Sequence, residues 1–178
     1  KLINNLKKKK LDIHEPLLKE RFKKAKKIHF SYNFNEISNS RIVVISNDTD
    51  PDKSNEDKYK DLFNLIKKTL KYINHPTVLI IMSQVEIGFC RKINDYITKQ
   101  KKEIDVIHWV ETLIIGNAVE RSINPERIIL GCKDNNFVIP ENLKKILKKF
   151  KSPLIKTTFE SAELIKASIN FFLSSSIS

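Results

Sequence analysis

Short apolar runs alternate with amphipathic stretches along this chain, and that alternation restricts its possible folds more than any other feature. "KIHFSYN" (27–33), "RIVVISN" (41–47), "TVLIIMS" (77–83), "IDVIHWV" (104–110), "RIILGCK" (127–133) and "PLIKTTF" (153–159) are rich in Ile, Val and Phe, the pattern of buried strands. Between them, "PLLKERFKKA" (16–25), "DKYKDLFNLIKKTLKYI" (57–73), "RKINDYITKQ" (91–100) and "ENLKKILKKF" (141–150) read as helices. In the second of these, Leu62, Leu65, Ile66 and Leu70 share one face. Strands separated by helices build βαβ units, so the expected class is α/β, an open and mostly parallel sheet flanked by helices. Ligands of such sheets sit outside the carboxyl ends of the strands. The segments to inspect are therefore "SNDTDPDKS" after residue 46, "SQVEIG" after 82 and "VETLIIGNA" after 109.

Composition excludes several classes. The net charge is +12, but lysines are scattered over helix faces (Lys67, Lys68, Lys71, Lys144, Lys145, Lys148, Lys149). No arginine-rich or aromatic-interleaved stretch forms a stacking platform, so nucleic acid is not an expected partner. A basic surface still suits an anionic ligand such as a nucleotide. No run approaches the roughly 20 apolar residues of a membrane span. Cys90 and Cys132 fit neither a metal spacing nor a disulfide framework, and a reducing cytoplasm is the expected compartment. The three glycines, Gly88, Gly116 and Gly131, cannot supply a G-x-G-x-x-G turn.

The last helix poses a sharper question. Thr157 and Glu160 read as a capping box opening it, with Pro153 keeping the preceding segment extended. Ala162, Ile165, Ile169 and Phe172 form an apolar face, and Leu164, Ala167, Phe171 and Leu173 cover other sides. Glu163, Lys166 and Asn170 make the one polar stripe. Either the stripe faces water, or its lysine is buried against a carboxylate or an anionic ligand.

Five stretches together resemble the UDP-glucose/GDP-mannose (nucleotide-sugar) dehydrogenase family. Glu15-Pro16-Leu17-Leu18 stands where the family has E-P-G-L. "VVISNDTDP" resembles its F-I-A-V-G-T-P, with Thr49 at the threonine, and "SQVEIGFCR" resembles S-T-V-P-V-G-T-T-R. "WVETLIIGNAVERSINPERIILG" is similar to N-P-E-F-L-R-E-G-x-A followed by N-P-D-R-I-V-I-G. "SAELIKASINFFLSSSIS" follows S-A-E-L-x-K-x-x-x-N-x-F-L-A-x-x-I-S almost position by position. The resemblance implies a Rossmann-like sheet, incomplete at its N-terminus, because the family's first strand and G-x-G-Y-V-G turn would precede Lys1. It implies residues 1–157 as the remainder of an NAD-binding domain and 158–178 as the start of a long connecting helix. In the family that helix leads to a dimerisation region and to a second domain carrying the catalytic cysteine.

The implied activity is NAD-dependent oxidation of a UDP-sugar, UDP-glucose in the first instance, from C6 alcohol to carboxylate in two hydride transfers without a metal. It belongs to polysaccharide precursor supply, and the parent is expected to be a homodimer through the helix beginning at Thr158. The resemblance places Lys166 at the developing alkoxide, with Asn170 as hydrogen-bond partner of the same oxygen or of the catalytic water. It makes Glu111 the base for thioester hydrolysis and a cofactor contact, and puts Thr49 and Ser83 at the cofactor. Leu113 would line the sugar-nucleotide pocket, which Lys166 and Asn170 also reach. Gln84 replaces the family threonine that helps hold the catalytic water, Val110 replaces the proline before Glu111, and Ile114 and Ile115 replace its Arg-Glu pair. Neither Cys90 nor Cys132 matches the nucleophile, so the 178 residues alone are expected to be inactive. The alternative is a degenerate, non-catalytic domain that binds a nucleotide or a partner chain.

Overall fold

The structure, a computed structural model, describes residues 2–8, 10–47 and 52–176. Its centre is a five-stranded sheet in the order β1 (Ile42–Ile45), β2 (Thr77–Ile81), β3 (Ile104–Val110), β4 (Ile128–Cys132) and β5 (Leu154–Thr158). The first three strands are parallel, β4 runs antiparallel to β3, and β5 is parallel to β4. Around them lie α1 (Leu2–Lys7), α2 (Leu18–Lys24), α3 (Asn55–Leu70), α4 (Phe89–Lys99), α5 (Ala118–Ile123), α6 (Glu141–Leu147) and α7 (Phe159–Ser176), with a 3-10 turn at Phe34–Ile37.

Every residue of β2 and β4 is buried, as continuous apolar runs in a sheet covered on both faces should be. On one face Leu79, Ile81, Val106 and Val43 pack against Leu62 and Ile66 of α3, Ile93 and Ile97 of α4, and Phe159 of α7. On the other, Val78, Ile80, Ile107 and Leu130 pack against Leu143 and Leu147 of α6.

The sheet is mostly parallel, as expected, and two other expectations need correction, the strand at 27–33 and the cap of the last helix. Residues 27–33 form no strand: a strand persists only in a ladder, and β1, at the sheet edge, pairs with β2 alone. Phe30 instead meets Phe22 of α2, their ring centroids 5.8 Å apart. The reversal at β4 follows from α5, which buries no residue against the sheet, so the chain returns from the same end instead of crossing over. The last helix is capped one residue later than expected: the Thr158 hydroxyl accepts from the Ser161 amide at 3.4 Å, and Glu160 turns to Arg91.

Because β5 runs opposite to β1–β3, α7, which turns back from the end of β5 level with Ile80 and Ile107, climbs towards their carboxyl ends. Gly131 permits this path. A Cβ there would lie 2.6 Å from the Ala162 Cβ and 3.2 Å from the Phe159 Cα, so only glycine lets the helix lie so close.

Candidate functional site

The polar stripe of α7 faces inward. Glu163 is fully buried and Lys166 is 6% exposed, while Asn170 emerges beyond the sheet. Burial of Glu163 is offset by two amide donors, Gly88 N–H at 2.6 Å and Cys90 N–H at 2.7 Å. Its carboxylate thus caps α4, whose preceding Gly88 sits at φ 89°, a conformation suited to glycine. Burial raises the Glu163 pKa, and the two amides pull it back down. One turn earlier Glu160 takes a forked pair from Arg91, Nε at 2.9 Å and Nη2 at 3.2 Å, with the guanidinium over the Phe159 ring. These contacts lock the start of α4 to α7.

One turn after Glu163, Lys166 Nζ donates to the Met82 carbonyl at 2.5 Å, at the carboxyl end of β2. Asn170 Nδ2 donates to Gln84 Oε1 at 2.8 Å. Ser83, between these two, is buried, and its hydroxyl has no hydrogen-bond partner among the described residues. Ser83, Gln84, Lys166 and Asn170 therefore converge where the parallel strands end. The lysine's burial is met by a backbone carbonyl, which no side-chain pattern could foretell.

Glu111 and Leu113 stand apart from that cluster. They line a cavity of ≈ 190 Å³ with Met82, Trp109, Arg121 and Arg127. Met82 joins the two regions: its carbonyl accepts from Lys166, and the residue also lines the cavity. Thr49 lies outside the described residues. A larger cavity, ≈ 780 Å³, opens at the amino-terminal ends of the strands between Arg41, His75, Lys102 and Asp105. That is the opposite end from the one where α/β sheets bind ligands, and it contains none of the expected site residues.

Sequence reasoning missed two kinds of contributor. Glu15 accepts from the Gly116 and Ala118 amides, both at 2.8 Å, and so fastens the loop after β3 to the N-terminal segment. Arg121 and Arg127 stand on the walls of the Glu111 cavity and of a neighbouring one of ≈ 380 Å³ that reaches Ile169 and Phe172. The Glu15 signal was available as half of the E-P motif, and Arg127 stands in the N-P-E-R stretch already matched to the family, whereas nothing local marks Arg121. Both cysteines are buried, and burial raises both thiols, Cys132 to about 11 and Cys90, beside Glu163, well above the usual range. Neither is a thiolate nucleophile. Among the described residues no group of three or more His, Cys, Asp or Glu could hold a metal, and no helix is long and apolar enough to cross a membrane.

Residues 1–151 match the UDP-glucose/GDP-mannose dehydrogenase family, NAD binding domain. The chain belongs to this family. It is 32% identical over 187 residues to UDP-glucose 6-dehydrogenase of Rickettsia felis, covering 98% of this chain and 40% of that protein. The fold is that of the GDP-mannose dehydrogenase ternary complex from Pseudomonas aeruginosa, with TM-score 0.80, 20% identity, and 98% of this chain and 43% of that one covered. It also matches UDP-D-ManNAc dehydrogenase from Pyrococcus horikoshii, with TM-score 0.80, 18% identity, and 96% and 42% covered. The chain thus spans about two fifths of these relatives' length.

NAD is the cofactor of this family domain, and the sheet is Rossmann-like. The residues present fit the cofactor at the carboxyl ends of the strands, where the buried Ser83 hydroxyl has no partner among the described residues. The three glycines are too far apart to form a G-x-G-x-x-G turn for its pyrophosphate.

Proposed function

We propose that this chain is part of a nucleotide-sugar dehydrogenase that oxidises a UDP-sugar, UDP-glucose as the leading substrate, at its C6 alcohol to the carboxylate in two hydride transfers. The reading rests on one observation: a buried lysine on α7, oriented by the Met82 carbonyl, at the carboxyl end of a parallel strand. An ammonium in that position opposes the negative charge that develops on an alcohol oxygen as its proton leaves, and low local polarity strengthens the effect. Bound NAD supplies the hydride acceptor. Asn170 and Gln84 hold the oxygen or water beside Lys166, and Ser83, with Thr49, contacts the cofactor.

In the second oxidation Glu111 activates the water that releases a thioester, and Leu113 lines the substrate pocket with the Lys166 cluster. The thiol for that step is neither Cys90 nor Cys132, both buried and protonated. The 178 residues by themselves therefore do not complete the reaction. We further propose the division 1–157 for the cofactor domain and 158–178 for the connecting helix, a homodimer formed through that helix, and a cytoplasmic enzyme.

A second reading, a binding domain without turnover, draws on the direct Gln84–Asn170 bond, which joins two amides where the family's threonine and asparagine hold a water. Lys166→Ala in the protein at its natural length separates the two. The dehydrogenase reading expects kcat to fall by about 10²–10³-fold with nucleotide binding retained. Unchanged turnover, or no turnover before substitution, leaves the binding reading.

A further inference from the structure

His108 lies near the carboxyl end of β3, flanked by Ile81 of β2 and Gly131 of β4. It is fully buried, and neither ring nitrogen meets a hydrogen-bond partner among the described residues. Strand alternation puts it on the face shared by Val106, which packs with Phe159, and Val110, which packs with Ala162. That is the face α7 covers, and the bare backbone of Gly131 beside it lets the helix descend. The Ser83 hydroxyl is a second buried group without a partner among the described residues. Ser83 follows Ile81, the strand partner of His108, by two residues, in the bend just past β2, a distance along the chain of roughly 7 Å. Such a span suits a bridging water better than a direct bond. Buried polar groups left unpaired are costly, and internal waters satisfy them in native proteins.

We infer that His108 is a positioning residue for Lys166: its neutral ring and the Ser83 hydroxyl hold one internal water beneath the ammonium and fix where that charge points. Among the described residues Lys166 of α7 is the charged group that acts on the ring, while β2 and β4 present Ile81 and Gly131 beside it. Glu163 is engaged by the Gly88 and Cys90 amides, which leaves Lys166 as the charge acting on the imidazole. Burial first, and the Lys166 charge second, lower the His108 pKa to about 4; the Ile81 backbone acts the other way and by less than either. The catalytic consequence rests on the reading of Lys166 as the alkoxide anchor; the coupling itself does not.

Histidine NMR with Cε1 labelling on the full chain tests the coupling. His108 should stay neutral above about pH 5, and Lys166→Met should raise its midpoint by about one unit. Lys166→Arg, which keeps the charge, should leave it near the starting value. Ser83→Ala should shift the neutral-ring resonance of His108 by removing one water ligand. A midpoint near the ordinary 6.5, or no response to Lys166→Met, overturns the inference. If Lys166→Met fails to fold, the Lys166 ammonium signal in His108→Leu decides: loss or displacement supports the proposal, and an unchanged signal refutes it. In the assembled enzyme His108→Leu should lower kcat about ten- to a hundredfold at unchanged KM. Absence of activity before substitution counts against the dehydrogenase reading and leaves the NMR result standing.

Discussion

Leu17 sits at φ 64°, in the left-handed region, immediately before α2. A branched apolar side chain is unfavourable there by about 1–2 kcal/mol. Glycine occupies this place in the E-P-G-L motif that 15–18 resembles. Leu17→Gly is therefore expected to stabilise the chain by roughly 0.5–1 kcal/mol, after allowing for the greater freedom of glycine in the unfolded state, as read by urea unfolding. His108 gives a prediction about acid. Its folded pKa of about 4 lies below the ordinary 6.5, so the unfolded chain takes up the proton first. Stability should fall as pH drops from about 6.5 to about 4, by on the order of 3 kcal/mol, and level off below that. Glu163 works in the opposite sense, because its raised pKa favours the folded state as pH falls below that value. The His108 share is isolated by subtracting the profile of His108→Leu, which should lack this slope; identical profiles would show that His108 does not contribute.

At the scale of elements, the sequence was most legible where burial is two-sided. The runs 77–83, 104–110 and 127–133 each contain a strand, because Ile and Val in unbroken series have no other economical arrangement in an α/β fold. Residues 27–33 carry Ile28, Phe30 and Tyr32 in alternation with polar residues but no strand lies beside them among the described residues, and alternation does not report a missing neighbour. The polar stripe of α7 was visible as a stripe, but its direction was not. Glu163 and Lys166 are buried because their partners, the amides of Gly88 and Cys90 and the carbonyl of Met82, are backbone groups and leave no trace in residue identity. Gly131 tests this packing: Gly131→Ala forces its Cβ against Ala162 and should cost about 1–3 kcal/mol in thermal or denaturant unfolding. Wild-type stability for that variant would mean that α7 does not lie this close to β4.

On the scale of the whole molecule, the excess of 33 Lys and Arg over 21 Asp and Glu is spread over the helices, while the expected site draws its chemistry from a few buried groups. The outer end of α7 is different in character, with Phe171 77% and Phe172 69% exposed. Two large rings in succession on a helix surface favour association. The double substitution Phe171→Glu and Phe172→Glu should reduce the sedimentation coefficient at matched concentration if the proposed homodimer forms through this helix. An unchanged coefficient would place the interface elsewhere.

The close seat of Ala162 on Gly131 turns the segment from Phe159 to Lys166 into a ruler. Its lower end is pinned by the glycine and its upper end must meet one carbonyl. Inserting or deleting a single residue within it would swing Lys166 by about 100° around the helix and out of the sheet. Length variation among natural versions of this protein should therefore be absent from this short interval and tolerated in the exposed turn at 133–136, where the same change moves only solvent-facing chain.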